Sequence, residues 1–85
     1  MGKYKIEFKQ SAYKELKSIP TKDLKRILAK IELLSENPRP EGCKKLSALE
    51  RYRIRQGDYR ILYSIEDDVL IIYIVKIGHR KNVYE

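Results

Sequence analysis

Seven consecutive apolar residues, Val69 to Val75, set the first constraint on this chain. A bilayer-spanning helix needs about 20, so the run does not cross a membrane. A strand with one wet face would alternate apolar with polar residues. This run does not alternate, and so predicts a central strand covered on both faces. A chain of 85 residues buries only about 60% of the surface it exposes when unfolded, which leaves room for one thin core. Residues 1–85 are therefore expected to form a small single domain around that strand.

The remaining elements follow from periodicity and punctuation. Tyr4, Ile6 and Phe8 alternate with Lys3, Lys5, Glu7 and Lys9, the pattern of a half-buried strand. Gln10 or Ser11 is placed to cap a short helix with Ala12, Leu16 and Ile19 on one face, stopped by Pro20. Thr21 then caps a longer helix with Asp23 in its first turn and a stripe of Leu24, Ile27, Leu28, Ile31 and Leu34; Asn37-Pro38 ends it. Neither stripe is stable unless buried, so the pair reads as a helical hairpin laid on a sheet. Arg39 to Cys43 is a loop, and Lys45-Leu46 adds at most a short pairing. Three strands follow, Tyr52 to Gln56, Tyr59 to Glu66 and Val69 to Ile77, divided by Gly57-Asp58 and Asp67-Asp68. The tail leaves the sheet at Gly78. The expected fold is α+β, in the order β-α-α-β-β-β, with the helical hairpin on a mainly antiparallel four-stranded sheet. Its last strand pairs with the first as well as with its sequence neighbour.

Composition removes several function classes. The N-terminal Met1-Gly2-Lys3-Tyr4-Lys5-Ile6 has no apolar secretory core, which points to the cytoplasm. One cysteine, Cys43, makes no internal disulfide, and with a single histidine there is no Cys/His metal cluster, so neither metal nor other cofactor is expected. Nineteen Lys and Arg against twelve Asp and Glu leave a net charge of +7, which favours a polyanionic partner. Lysines populate the first thirty residues, whereas five of the seven arginines fall between Arg51 and Arg80. Lysine suits a solvated surface; arginine suits bidentate contact with phosphate.

Those arginines are ordered by a hairpin. With Gly57-Asp58 as a type II′ turn, Gln56 pairs with Tyr59, Arg55 with Arg60, Ile54 with Ile61 and Arg53 with Leu62. Tyr52, Ile54, Tyr59, Ile61, Tyr63 and Ile65 then share one face, and Arg51, Arg53, Arg55, Arg60, Leu62 and Ser64 the other. Like charges directly opposite, about 5 Å apart, weaken a hairpin by tenths of a kcal/mol to about 1. A bound anion reverses that sign, because charge-assisted bonds to phosphate outweigh a small repulsion. The competing reading is a solvated face whose arginine stems cover apolar surface. His79 is the only side chain with a reference pKa near neutrality, and His79 or Tyr84 is the natural proton-transfer candidate if the site is catalytic.

The Lys-rich helical hairpin after a first strand, the segment Tyr52-Arg53-Ile54-Arg55-Gln56-Gly57-Asp58-Tyr59-Arg60-Ile61-Leu62-Tyr63, and the ending Gly78-His79-Arg80-Lys81-Asn82-Val83-Tyr84 together resemble the RelE/ParE toxin superfamily of bacterial toxin–antitoxin systems. The ending favours the RelE branch. The resemblance implies a metal-independent, ribosome-dependent endoribonuclease that enters the A site and cuts mRNA by attack of the substrate's own 2′-hydroxyl. It also implies a small RelB-like antitoxin as resting partner. Carried over by position, the roles fall on Arg53 and Arg55, on Arg60, on Arg80 after the last strand and on Tyr84. Family members can carry Lys at the first two positions; arginine does not act as a base near neutral pH, so Arg53 and Arg55 would stabilise charge. Proton transfer would then fall to Tyr84, to His79, or to no single residue. Lys44, Lys45 and Arg51, with the helix lysines, would meet RNA backbone. A ParE-like gyrase inhibitor and a non-catalytic RNA-binding module remain the rivals on the same fold.

Overall fold

The structure is a computed structural model and describes residues 3–46 and 51–79. Its elements run β1 (Lys5–Phe8), α1 (Gln10–Leu16), α2 (Thr21–Leu34), β2 (Lys44–Leu46), β3 (Arg51–Gln56), β4 (Tyr59–Glu66) and β5 (Ile71–His79). They build a five-stranded sheet in the order β1-β5-β4-β3-β2, parallel between β1 and β5 and antiparallel elsewhere. The apolar run therefore does become a central strand, flanked by β1 and β4, and the Lys45-Leu46 segment supplies a fifth, edge strand through β2.

Both helices lie on one face of the sheet. Ala12 and Leu16 of α1, and Ile27, Ile31 and Leu34 of α2, close over Ile54, Ile61, Tyr63, Ile72, Ile74 and Ile77. Ile72 and Ile74 are fully buried, as the centre of the apolar layer between sheet and helices requires. On the opposite face Ile71, Tyr73 and Val75 are half-buried, so the expected cover on both sides of β5 is complete on the helix side only. The stripe of α2 is likewise wider than its contact with the sheet. Leu28 is 41% exposed and joins Tyr13, Leu16 and Leu24 along a groove between the helices.

Element ends depart from expectation for local reasons. The amide of Lys9 donates to Ile74 O at 2.9 Å, which extends the β1 ladder by one residue. Lys9, not Gln10 or Ser11, therefore occupies the cap position of α1, in extended conformation and without a side-chain cap. Pro20 caps α2 in the same way, and its carbonyl accepts from Leu24 N at 2.8 Å, so Thr21 is the first helical residue instead of the cap. The β4–β5 turn spans Asp67 to Leu70, not Asp67-Asp68, with Leu70 in the left-handed region at φ 56° and Val69 58% exposed. That turn is pinned from outside the hairpin. The Arg39 guanidinium bonds Asp67 Oδ2 at 2.9 Å, and the Tyr4 hydroxyl donates to Asp67 Oδ1 at 2.7 Å. Arg39 holds the Asp67 carboxyl below the ordinary carboxylate range, with Tyr4 adding to the effect.

The same corner is tied to the core. Arg39 Nε donates to the Tyr52 hydroxyl at 3.1 Å, and Tyr52 stacks on Tyr63 with ring centroids 5.8 Å apart. Tyr63 is fully buried and donates its hydroxyl proton to Pro38 O at 2.7 Å. Burial first, then Cys43 and Tyr52, push the Tyr63 phenol well above its ordinary pKa. No helix among the described residues is long and apolar enough to cross a membrane.

Candidate active site

The β3–β4 hairpin has the register that its alternation predicts. Gln56 faces Tyr59, Arg55 faces Arg60, Ile54 faces Ile61, Arg53 faces Leu62 and Arg51 faces Ser64. Gly57 sits at φ +62° while Asp58 has no positive φ, the combination a type II′ turn requires. Tyr52, Ile54, Ile61, Tyr63 and Ile65 accordingly turn into the core, and the arginines turn to the face that the helices leave open.

On that open face Arg51, Arg53 and Arg60 are half-buried and Arg55 is exposed. Leu62, directly opposite Arg53, is only 7% exposed although it lies on the face without helices. Its neighbours on that face in the β3–β4 register are long arginine side chains, whose stems are able to cover apolar surface. Lys44 pairs with Arg53 across β2 and adds a further cation to the same face. Arg51 Nε is buried and finds no hydrogen-bond partner among the described residues. Burial, and then the charges of Arg60 and Arg55, press the Arg53 guanidinium below its ordinary pKa. An arginine so placed still stays cationic near neutral pH. The perturbation reports like charges gathered close enough to feel one another.

Two features of β5 shape the floor beside Arg60. The pairing jumps from Leu62↔Lys76 to Tyr63↔Ile74, so Val75 is an extra residue and β5 carries a bulge there. Beyond it the strand continues, with Gly78 facing Arg60 and His79 facing Tyr59. The chain thus does not leave the sheet at Gly78, because the first residues of β4 extend far enough to pair with it. Gly78 itself presents no side chain beside Arg60.

This far end of β5 outruns β1, whose pairing stops at Phe8↔Ile74. Glu15 of α1 takes over from the missing strand. Its Oε1 accepts from Ile77 N at 3.0 Å, and its Oε2 meets Lys76 Nζ at 3.1 Å. Sequence reading does not single out Glu15, since no pattern links it to a residue 62 positions away.

The structure brings together Arg51, Arg53, Arg55, Arg60 and Lys44. It does not bring His79 to them. Paired with Tyr59, His79 projects to the helix side, edge-on to the Tyr59 ring at 5.7 Å, in a cleft of about 270 Å³ with Glu15 and Ser18. Lys45 pairs with Tyr52 and so also points away from the arginine face. Arg80 and Tyr84 lie outside the described residues. Among the described residues no three His, Cys, Asp or Glu side chains gather where they could hold a metal ion.

Comparison with known proteins agrees with this geometry. Residues 6–84 match the family described as ParE toxin of type II toxin-antitoxin system, parDE. A Methanocaldococcus jannaschii relative that carries the name toxin RelE1 is 34% identical, over 98% of this chain and 97% of its own length. The mRNA interferase toxin RelE of Escherichia coli is 25% identical, over 92% of this chain and 84% of its own. The toxin in the crystal structure of the archaeal RelE-RelB complex from Pyrococcus horikoshii superposes with a TM-score of 0.84 at 29% identity, covering 95% of this chain and 99% of that one. With a family match over nearly its whole length and RelE toxins for relatives, the chain belongs to the RelE/ParE toxin family of type II toxin–antitoxin systems.

Proposed function

We propose that this protein is a RelE-type toxin: an endoribonuclease that cuts mRNA in the ribosomal A site in the cytoplasm, held inactive by a small RelB-like antitoxin. The observation that carries the reading is the gathering of Arg53, Arg55 and Arg60 on the open face of the β3–β4 hairpin, with the side-chain-free Gly78 beside Arg60. A fold gains nothing from that repulsion. A phosphodiester gains several charge-assisted bonds from it.

In this reading the substrate's 2′-oxygen attacks the adjacent phosphorus and the bond from phosphorus to O5′ breaks. The 2′-hydroxyl proton is removed and a proton is delivered to O5′, which leaves a 2′,3′-cyclic phosphate and a 5′-hydroxyl. Arg60 and Arg80 hold the scissile phosphate. Arg53 and Arg55 offset the charge that builds on the pentacoordinate phosphorus, the kind of stabilisation worth about 10²- to 10³-fold per donor. Neither accepts the proton. Tyr84 positions the base or the 2′-hydroxyl; His79, turned toward Tyr59, is assigned no step. Arg51 and Lys44 contact RNA backbone beside the cut.

The test is purified protein added to translating ribosomes on a defined mRNA, with cuts read by primer extension. Wild type should cut within the A-site codon, and Arg60→Ala should lose that activity while keeping its thermal unfolding midpoint. A folded Arg60→Ala that still cuts refutes the assignment. The ParE name of the matching family keeps one rival specific, and inhibition of gyrase supercoiling without mRNA cleavage would decide for it.

A further inference from the structure

β2 begins only at Lys44, while the antiparallel β3 continues to Gln56, so the last bridged pair on that edge is Lys44↔Arg53. In a hairpin closed by the Gln56↔Tyr59 pair, backbone groups point alternately toward the partner strand and away from it. Arg55 is an away-pointing residue: its N–H and C=O face the slot that a longer β2 would fill. The chain turns out of that slot at Gly42, whose φ of +93° suits glycine and strains other residues. From above, α2 brings Lys30 to it. The result is a hollow of about 430 Å³ with Lys30, Lys44, Arg53 and Arg55 on its walls, joined by Gly42 and Glu41.

Four cations thus meet one carboxylate, and Lys30 is half-buried. Among the described residues no ion pair engages Lys30, Lys44 or Arg55. Among the described residues Ile54 is the sole apolar side chain lining the hollow. An amphipathic helix would need more apolar surface; two ammonium groups, two guanidinium forks and a backbone amide suit a phosphate. Arg53 and Arg55 wall the hollow and also belong to the arginine face, so the two sites form one track around the edge of β3. Two strand spacings, about 10 Å, separate β4 from the open slot, a distance that a few nucleotides of one strand can span.

We propose that this hollow is a second phosphate site, in which Lys30 and Lys44 hold a backbone phosphate of the same RNA strand a few nucleotides from the linkage at the arginine face. The inference rests on the RNA reading of that face and extends it: the contact is to backbone, so it contributes affinity and register without base preference.

The experiment is a titration of the isolated protein with 2′-O-methyl RNA, which keeps the phosphates and blocks 2′-hydroxyl attack, at two lengths. A dinucleotide reaches only the arginine face; a hexanucleotide reaches both sites. Lys30→Gln should leave dinucleotide affinity unchanged and weaken the hexanucleotide. Removing one phosphate contact from a single strand takes about 0.7 from the salt slope, so the deficit should be about five-fold larger at ~0.05 M than at ~0.5 M salt. Lys44→Gln, on the other wall but also beside the arginine face, should weaken the hexanucleotide more than the dinucleotide and serves if Lys30→Gln fails to fold. Equal hexanucleotide affinity in wild type and both variants overturns the proposal, as does an equal loss at both lengths. Loss of binding to a polyglutamate peptide with RNA affinity untouched also overturns it, in favour of an acidic protein partner. Because no ribosome and no cleavage enter the assay, its failure leaves the nuclease reading standing. Conversely, cleavage by Arg60→Ala leaves this binding result interpretable.

Discussion

Replacing Arg55 with glutamate separates what the arginine face costs the fold from what it does for function. Arg55 stands directly opposite Arg60, with Arg53 two residues along the same strand face. At about 5 Å in water, two like charges repel by roughly 0.8 kcal/mol, and a carboxylate at the same place turns that into attraction of similar size. Arg55 is exposed, so side-chain entropy and solvent screening reduce the swing of about 1.6 kcal/mol to about 1. In a domain of this size, 1 kcal/mol moves the thermal midpoint by about 4–8 °C. Arg55→Glu should therefore melt about 5 °C higher than wild type at low salt, and the gain should shrink in ~0.5 M salt, where the screening length falls to a few Å. The same variant should lose about 10²-fold or more of its A-site cleavage, because a carboxylate now repels the phosphate. Thermal unfolding by circular dichroism at two salt concentrations, with primer extension on the same preparations, reads both effects. An unchanged or lower midpoint at low salt would mean that the guanidinium groups do not repel across the hairpin. Retained cleavage would mean that the phosphate binds elsewhere.

Other perturbations test the scaffold around the site. Glu15→Ala strips the acceptor from the Ile77 amide, whose residue is 1% exposed, and should cost about 1–3 kcal/mol; Glu15→Gln keeps an acceptor and should cost less than about 1, a difference that thermal melts and exchange of the Ile77 amide will register. Gly57→Ala meets no neighbour within 4 Å, yet its φ of +62° should cost about 1–2 kcal/mol by denaturant titration, with Gly57→Asn recovering part of the loss. Asp67 has its carboxyl pKa lowered by Arg39 and Tyr4, so the stability it lends is present above the ordinary carboxylate value of about 4 and is lost as pH falls through the lower folded value. The midpoint difference between wild type and Asp67→Asn should accordingly be steady at pH ~6 and close on acidification below pH ~4, and a pH-independent difference would remove the ion pair from the account.

What the sequence makes legible divides by range. The hairpin and its two faces are readable because alternation and the Gly57-Asp58 turn are local, and the pairing of Arg55 with Arg60 follows from them without any tertiary knowledge. The bulge at Val75 leaves only a faint trace: inward residues of β5 come at Ile72, Ile74 and then Ile77, a step of three where a regular strand takes two. The turn at Asp67–Leu70 is set by Arg39 and Tyr4, which lie far from it in sequence, so the two aspartates alone mislead. The orientation of His79 is hidden for a related reason. A tail leaving the sheet at Gly78 would be free to fold back over the arginines, whereas a strand paired through His79 commits its side chain to the face of Tyr59.

That division also explains how a domain with one thin core tolerates a self-repelling face. The anchoring contacts are concentrated on the other side. The Tyr52–Tyr63 stack, the Tyr63 bond to Pro38 and the Arg39–Asp67–Tyr4 corner fix the helix-side layer and the turns around it, and Glu15 secures the part of β5 that β1 does not reach. Among the described residues Leu62 is the buried side chain that lies on the arginine side, opposite Arg53, and arginine stems can cover such a residue without use of their charges. The tyrosine stack, the Tyr63 bond, the Arg39 corner and the Glu15 bonds that hold the layers together do not use the guanidinium charges of the β3–β4 hairpin. Their charge can be kept for an anion, because the core does not need them to be neutralised in order to form.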